Sequence, residues 1–290
     1  MSTDALLHQV LAGLATGGIY ASLALALVMI YQATHLVNFA QGEMAMFTTY
    51  IAWSLINAGV PYWAAFVLTV LFAFIFGLVV ERVVIRPVEN APVLAVVVVF
   101  IGLLVILNSI AGWIFTYTIK SFPTPFPAAL GIRYMSPHQL GALLVTLVVL
   151  ALLYLFFRFT PLGLAMRAAA QNPVSSRLVG IRVGWMLALG WGLAAAVGAV
   201  AGMMVAPIVY LDPNMMAGIL LYAFAAALLG GIDSPGGAVV GGLVVGVLEN
   251  LLGAFVIGNE LKLVVALVLI VGVLLVRPSG FFGSVQVSRV

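Results

Sequence analysis

Residues 92–114 read PVLAVVVVFIGLLVILNSIAGWI, without a single charged side chain. A membrane helix needs about 20 mostly apolar residues, because the hydrocarbon core is about 30 Å thick. A barrel strand needs only about 9–11 residues and alternates apolar with polar, which this run does not. The stretch therefore reads as a transmembrane helix. Working outward, comparable runs occur at 6–31, 41–59, 62–81, 138–157, 185–208, 215–231, 236–257 and 261–276. The last three are crowded and Gly-rich, so counts of eight and nine both stand. The expected fold is all-α: a polytopic transmembrane helical bundle of about 8–9 spans with broken or re-entrant segments. Residues 1–290 are expected to form a single transmembrane domain.

Composition agrees. Of 290 residues, 65% are hydrophobic and 7% charged, against about 45–50% and about 25% in soluble domains. This excludes a soluble globular domain, a disordered chain and a nucleic-acid partner, and makes membrane lipid the surroundings. The net charge of +3 is too small to imply an acidic partner. With no Cys there is no disulfide framework and no thiolate site. Three scattered His make a metal site improbable, and no cofactor is expected. The start, MSTDALLHQV, lacks the positive n-region of a secretory signal and is expected to lead into a retained first span.

The lysines exclude one chemistry. A P-loop needs Gly-Lys-Ser/Thr, but Lys120 follows Ile119 and Lys262 follows Leu261. HExxH, GxSxG and haem motifs are also missing. The chain is expected not to be an enzyme, which leaves a transporter, a channel or a membrane scaffold.

Lys and Arg in short loops set orientation. Arg158, Arg167, Arg177 and Arg182 fall in one acid-free stretch. Arg82 and Arg86 mark a second basic loop, and Arg277 and Arg289 mark the tail. All three are expected in the cytoplasm, with the C-terminus, and the 115–137 loop outside. Nine spans then put the N-terminus outside, and eight put it inside.

Glycines at GxxxG spacing, Gly13/Gly17, Gly198/Gly202, Gly237/Gly241 and Gly242/Gly246, offer flat stripes for close helix packing. Ordinary packing within the bundle is the simpler reading; a subunit interface or moving seam is the other. Two polar segments interrupt the apolar pattern. Residues 31–43, YQATHLVNFAQGE, supply Asn38, Gln41 and Glu43, and residues 230–237, GGIDSPGG, supply Gly230, Gly231, Asp233 and Pro235. Irregular backbone at membrane depth is tolerated when buried in protein or lining a wet cavity, and such breaks often mark a transport path. These seven residues are candidates for a path or gate. The alternative is a pair of interfacial turns, with Asp233 capping the following helix. His35 reads as a structural histidine. Glu43 and Glu249 are candidate ion-coupling carboxylates or, near helix ends, carboxylates reaching the headgroups. Asn108 and Ser109, inside a span, are expected to bond to a neighbouring helix.

The 159–184 loop carries TPLGLAMRAAAQNPVSSRLVGIRVG from Thr160 onward. A short helix is expected at 163–170. A second is expected over 174–179, with Asn172 as N-cap, Pro173 at its first position and Gly180 as stop. Leu164, Met166, Leu178, Val179 and Ile181 suit either a groove on a partner protein, with arginines at the rim, or anionic lipid.

Three stretches together resemble the permeases of branched-chain amino-acid ABC importers, the LivH-like group. They are GLATGGIYASLALALVMIYQATHLVNFAQGEMAM (13–46), GLAMRAAAQNP with SRLVGI (163–181), and ALLGGIDSPGGAVVGGLVVGVLEN (227–250). The resemblance spans nearly the whole chain. It implies an importer permease fold in a bacterial inner (plasma) membrane. It also implies a second, LivM-like permease subunit, two cytoplasmic ABC ATPases and a periplasmic or lipid-anchored substrate-binding protein. The 159–184 loop becomes an ATPase-docking, or coupling, loop with Arg167, Ala168, Ala169, Asn172, Pro173, Arg177, Leu178 and Gly180. The NFAQGE and GGIDSPGG segments fall near the translocation path. Branched-chain amino acids are the implied substrates; other amino acids, amides or urea, or a proton-coupled secondary carrier, are the alternatives.

Overall fold

The structure is a computed structural model that describes residues 3–89, 91–130 and 133–283; Arg289, one of the orientation markers, lies outside them. Eleven α-helices follow in order among the described residues. They are α1 (Thr3–Thr34), α2 (Gln41–Asn57), α3 (Tyr62–Val80), α4 (Val93–Phe115), α5 (Pro137–Phe159) and α6 (Pro161–Gln171), then α7 (Pro173–Leu178), α8 (Val183–Val209), α9 (Met216–Gly230), α10 (Pro235–Leu252) and α11 (Lys262–Val276). Proline sets many of the starts, being compatible with the first turn because it lacks only an N–H that has no helical partner there. Pro137, Pro161, Pro173 and Pro235 open their helices, and Pro61 and Pro92 immediately precede α3 and α4.

Every apolar run marked in the sequence is a helix. Seven helical stretches are long and apolar enough to cross a membrane: α1, α3, α4, α5, α8, α10 and α11, some with their irregular extensions. The protein is thus a polytopic helical membrane protein. The other two runs are the short helices α2, 17 residues, and α9, 15 residues. At a rise of 1.5 Å per residue they reach about 26 and 22 Å, less than the hydrocarbon thickness of about 30 Å. Each short helix adjoins one of the polar interruptions: α2 begins within NFAQGE and α9 ends at GGIDSPGG. The breaks expected at those segments are therefore real.

The chain divides into two compact units. The first holds Met1–Val28, Phe126–Leu144 and Gly218–Val290. Its seam is glycine on glycine: a side chain at Gly13 would meet the Gly246 carbonyl, and one at Gly17 the Gly242 carbonyl. Two of the GxxxG pairs thus face each other across α1 and α10. Gly237 and Gly241 similarly let α10 approach Gly230 and Ala226 of α9. The second unit holds Met29–Pro125 and Val145–Ala217. There α8 packs against α2 and α3. Gly198 makes room for the Gln41 amide and Gly202 for Thr49 and the Ala45 carbonyl. Gly77 brings α3 onto the Trp191 carbonyl. All four predicted glycine pairs pack within the chain, with dispersion between close backbones as their reward.

Candidate functional site

The 31–43 interruption is smaller than its polarity suggested. Helix α1 runs on through Tyr31 and Gln32 to Thr34, and the chain breaks at His35, whose φ is +54°. Asn38 then organises the start of α2. Its Oδ1 accepts from the Ala40 N–H at 3.0 Å and its Nδ2 donates to Gln41 Oε1 at 3.2 Å. Gln41 Nε2 donates to the Ala194 carbonyl of α8 at 3.0 Å. Both amides are fully buried, so at this depth their partners must come from protein. Glu43 follows in the first turn of α2, 6% exposed. Its Oε2 is buried without a hydrogen-bond partner.

Asn108 is a junction. Its Nδ2 donates to the Pro213 carbonyl at 2.9 Å and to Asn214 Oδ1 at 3.1 Å, and Tyr117 donates to its Oδ1 at 3.2 Å. The sequence leads one to expect Asn108 to bond to a neighbouring helix; its hydrogen bonds go instead to the loop after α8 and to Tyr117 just beyond α4. That loop is fixed by a two-bond bridge between Lys120 and Leu211, both bonds 2.9 Å. Asp212 consequently acts electrostatically on both Glu43 and Tyr50. Sequence reasoning missed Asp212 and Tyr50: spacing within α2 puts Tyr50 seven residues after Glu43 on one face, but nothing local announces the returning loop.

The GGIDSPGG segment is a helix-to-helix turn in the first unit. Gly231 has φ +106°. The cap of α10 is Ser234, whose Oγ accepts from the Gly237 N–H at 3.1 Å, in place of the expected Asp233. The two residues are adjacent, and only Ser234 sits where its side chain can reach back to the first turn. Pro235 follows at the first helical position. The C-terminal segment seals the turn: Phe281 and Phe282 donate to the Leu229 and Gly230 carbonyls at 2.9 and 3.0 Å.

Glu249 of the same unit is also 6% exposed but well partnered. Tyr20 donates to its Oε2 at 2.8 Å, and Lys262 Nζ lies 4.0 Å from its Oε1. Tyr20 and Tyr222 stack with centroids 4.9 Å apart. The carboxylate is therefore partnered within the protein.

The basic loop forms as expected. Thr160 caps α6, accepting from Gly163 N–H at 3.0 Å, and Asn172 caps α7, accepting from Ser175 N–H at 2.9 Å. Gly180, with φ +85°, ends it. Val174, Leu178 and Val179 project outward, Leu178 being 84% exposed, and Asn172, Pro173 and Arg177 are exposed beside them. The α6 residues behave differently. Met166 and Ala169 are buried and Ala168 half-buried. Arg167 lines a cavity of about 40 Å³ with Gln32, Phe157 and Met186, and its Nε is buried without a partner. That space suits a few waters, not an amino acid.

The described residues thus form a polytopic helical membrane protein with two polar helix breaks and an exposed basic loop. Residues 9–274 match the family described as branched-chain amino acid transport system / permease component, and the chain belongs to it. It is 32% identical to the high-affinity branched-chain amino acid transport system permease protein LivH of Escherichia coli K12, over 98% of this chain and 97% of that one. It is 34% identical to the corresponding permease protein BraD of Pseudomonas aeruginosa, over 98% of each. A probable LivH of Methanocaldococcus jannaschii is 29% identical over 90% of this chain and 87% of that one. Among solved structures, PsaBC from Streptococcus pneumoniae in complex with Fab shares the fold, with a TM-score of 0.51 at 13% identity, covering 92% of this chain and 91% of that one.

Proposed function

We propose that this chain is the LivH-like permease subunit of an ATP-driven importer of branched-chain amino acids, delivered by a periplasmic or lipid-anchored binding protein. The carrying observation is the match of residues 9–274 to the permease family, supported by relatives named for branched-chain amino acid transport. The chain has no P-loop, so two cytoplasmic ABC ATPases would supply ATP hydrolysis, and a LivM-like subunit would complete the pathway. Residues 1–290 act as one permease domain.

Orientation in a bacterial inner membrane follows the arginines, with the C-terminus cytoplasmic. Arg82 stacks on Trp185, its guanidinium 4.1 Å from the ring, so two of the basic loops share one face. At the start of α1, Asp4 accepts from the Tyr134 hydroxyl at 2.9 Å and pairs with Arg133 at 3.4 Å. That supports an N-terminus on the same outer face as the 115–137 loop, hence an odd number of crossings.

In the mechanism, the 159–184 loop docks the ATPases. The exposed Leu178, Val179 and Val174 would enter a groove, Arg177 would meet its rim, and Asn172, Pro173 and Gly180 hold α7 in shape. Arg167, Ala168 and Ala169 would carry the motion inward through α6 to α8. Asn38, Gln41, Glu43, Gly230, Gly231, Asp233 and Pro235 are proposed near the path. A loosely binding path suits transport, because a ligand must leave as readily as it enters. Reconstitution with the second permease, the ATPases and the binding protein tests the reading: leucine should stimulate ATP hydrolysis and enter vesicles. Arg167→Glu, or Gly180 replaced by Val, should uncouple the two while the chain still inserts. Uptake that is insensitive to ATP would favour a secondary carrier instead.

A further inference from the structure

We propose that the cavity beside Arg167 binds a small monovalent anion of the size of chloride, at the place where α6 meets α1, α5 and α8. The site is independent of which solute the protein carries.

Arg167 holds a charge that the chain does not compensate. The residue is half-buried and its Nε is buried without a hydrogen-bond partner. Among the described residues it enters none of the salt bridges. A guanidinium does not shed its proton in a protein, and a buried charge is costly until it is paired. The walls of the cavity supply no carboxylate to pair with it. Beside Arg167 stand the Gln32 amide, Phe157 and three methionines, Met29, Met166 and Met186.

The space fits a small ion. Its volume is about 40 Å³, and one water takes about 10–15 Å³ of such space. A glycine of α8 keeps it open. Gly192, Gly198 and Gly202 of that helix serve close packing, since a side chain there would run into Phe74, Gln41 or Thr49. Gly190 is different. It is buried and lines the cavity, yet a Cβ there would meet nothing nearer than Met166 Cε, at 3.9 Å. Alanine fits at this position and is the better helix former, so helix contact does not account for Gly190. The room that it preserves beside an unpaired guanidinium does.

The lining also sets the charge of the ligand. Hydrogen bonds from a guanidinium to an anion are among the strong ones, but the methionine and phenylalanine walls add no donors. A divalent sulfate or phosphate would leave most of its charge unbonded against them. A monovalent ion such as chloride is neutralised by the one arginine. Bound there, it ties α6 to the three helices that share the cavity.

The test takes the purified transporter and replaces gluconate by chloride at constant ionic strength while thermal unfolding is followed. The wild type should gain about 3 °C along a saturable curve. Arg167→Gln should abolish the gain, and so should Gly190→Val, which fills the space from α8. Crystals grown in bromide should show an anomalous peak beside the Arg167 guanidinium. A melting temperature indifferent to chloride overturns the proposal, and means that water or a partner's carboxylate takes the space. A gain that either variant keeps also overturns it, because chloride then acts elsewhere. If Arg167→Gln does not assemble, Gly190→Val and the bromide peak decide by the same criteria.

Discussion

Glu43 and Glu249 are two glutamates of equal burial, each 6% exposed, on helices of similar length, 17 and 18 residues. Glu249 accepts from Tyr20 and pairs with Lys262. Glu43 has an Oε2 that is buried without a hydrogen-bond partner, and no salt bridge among the described residues. The difference teaches that burial alone does not mark a functional carboxylate in a membrane. What matters is whether the protein itself completes the charge. The Glu249 carboxylate ties α10 to α1 and α11, whereas Glu43 leaves one oxygen buried without a hydrogen-bond partner.

The contrast can be broken most forcefully at Glu249. Glu249→Leu strands Lys262 and two phenols in an apolar setting and should destabilise the purified complex by about 3 kcal/mol, read by thermal unfolding in detergent. An unchanged melting temperature would erase the distinction between the two sites. At Glu43 the expected pattern is inverted. Glu43→Gln should lower uptake about 10-fold, equivalent to about 1.4 kcal/mol, while the melting temperature holds or rises because a poorly satisfied charge has gone. A finer probe is Tyr20→Phe, which removes one hydrogen bond to Glu249 and should cost about 1 kcal/mol of stability with little effect on uptake per folded complex. The smallest effect belongs to Asp4→Asn. Its pair with Arg133 is exposed on both sides, so neither melting temperature nor leucine uptake should move measurably.

Much of the architecture was legible along the chain. Apolar runs announced every long helix, and the Asn172 cap, Pro173 and the Gly180 stop of α7 could be read close to where they act. The candidate site was legible only in part. Asn38, Gln41 and Glu43 stood out because polar residues are conspicuous in an apolar sequence, and Asn108 stood out for the same reason. Asp212 and Tyr50 did not. One lies in a loop that reads as an ordinary turn, and the other is a tyrosine among many aromatics. The α6 residues of the basic 159–184 loop were grouped with those of α7 because a linear pattern does not tell a half-buried Arg167 from an exposed Arg177.

Helices α4 and α8 set the limit plainly. Both are long and apolar, yet of the most apolar 18 residues of α8 78% are buried, against 22% in α4. The sequence by itself determined that this is a polytopic helical membrane protein, where its helices start and stop, and where its glycine stripes lie. Those features depend on local propensity and on the dielectric contrast between lipid and water, which act on each segment separately. Only the tertiary structure decided which stripes meet, which apolar faces turn inward, and which buried carboxylate is neutralised. In a membrane, lipid and protein interior are equally apolar, so hydropathy cannot tell them apart, and only the contacts made between distant segments can.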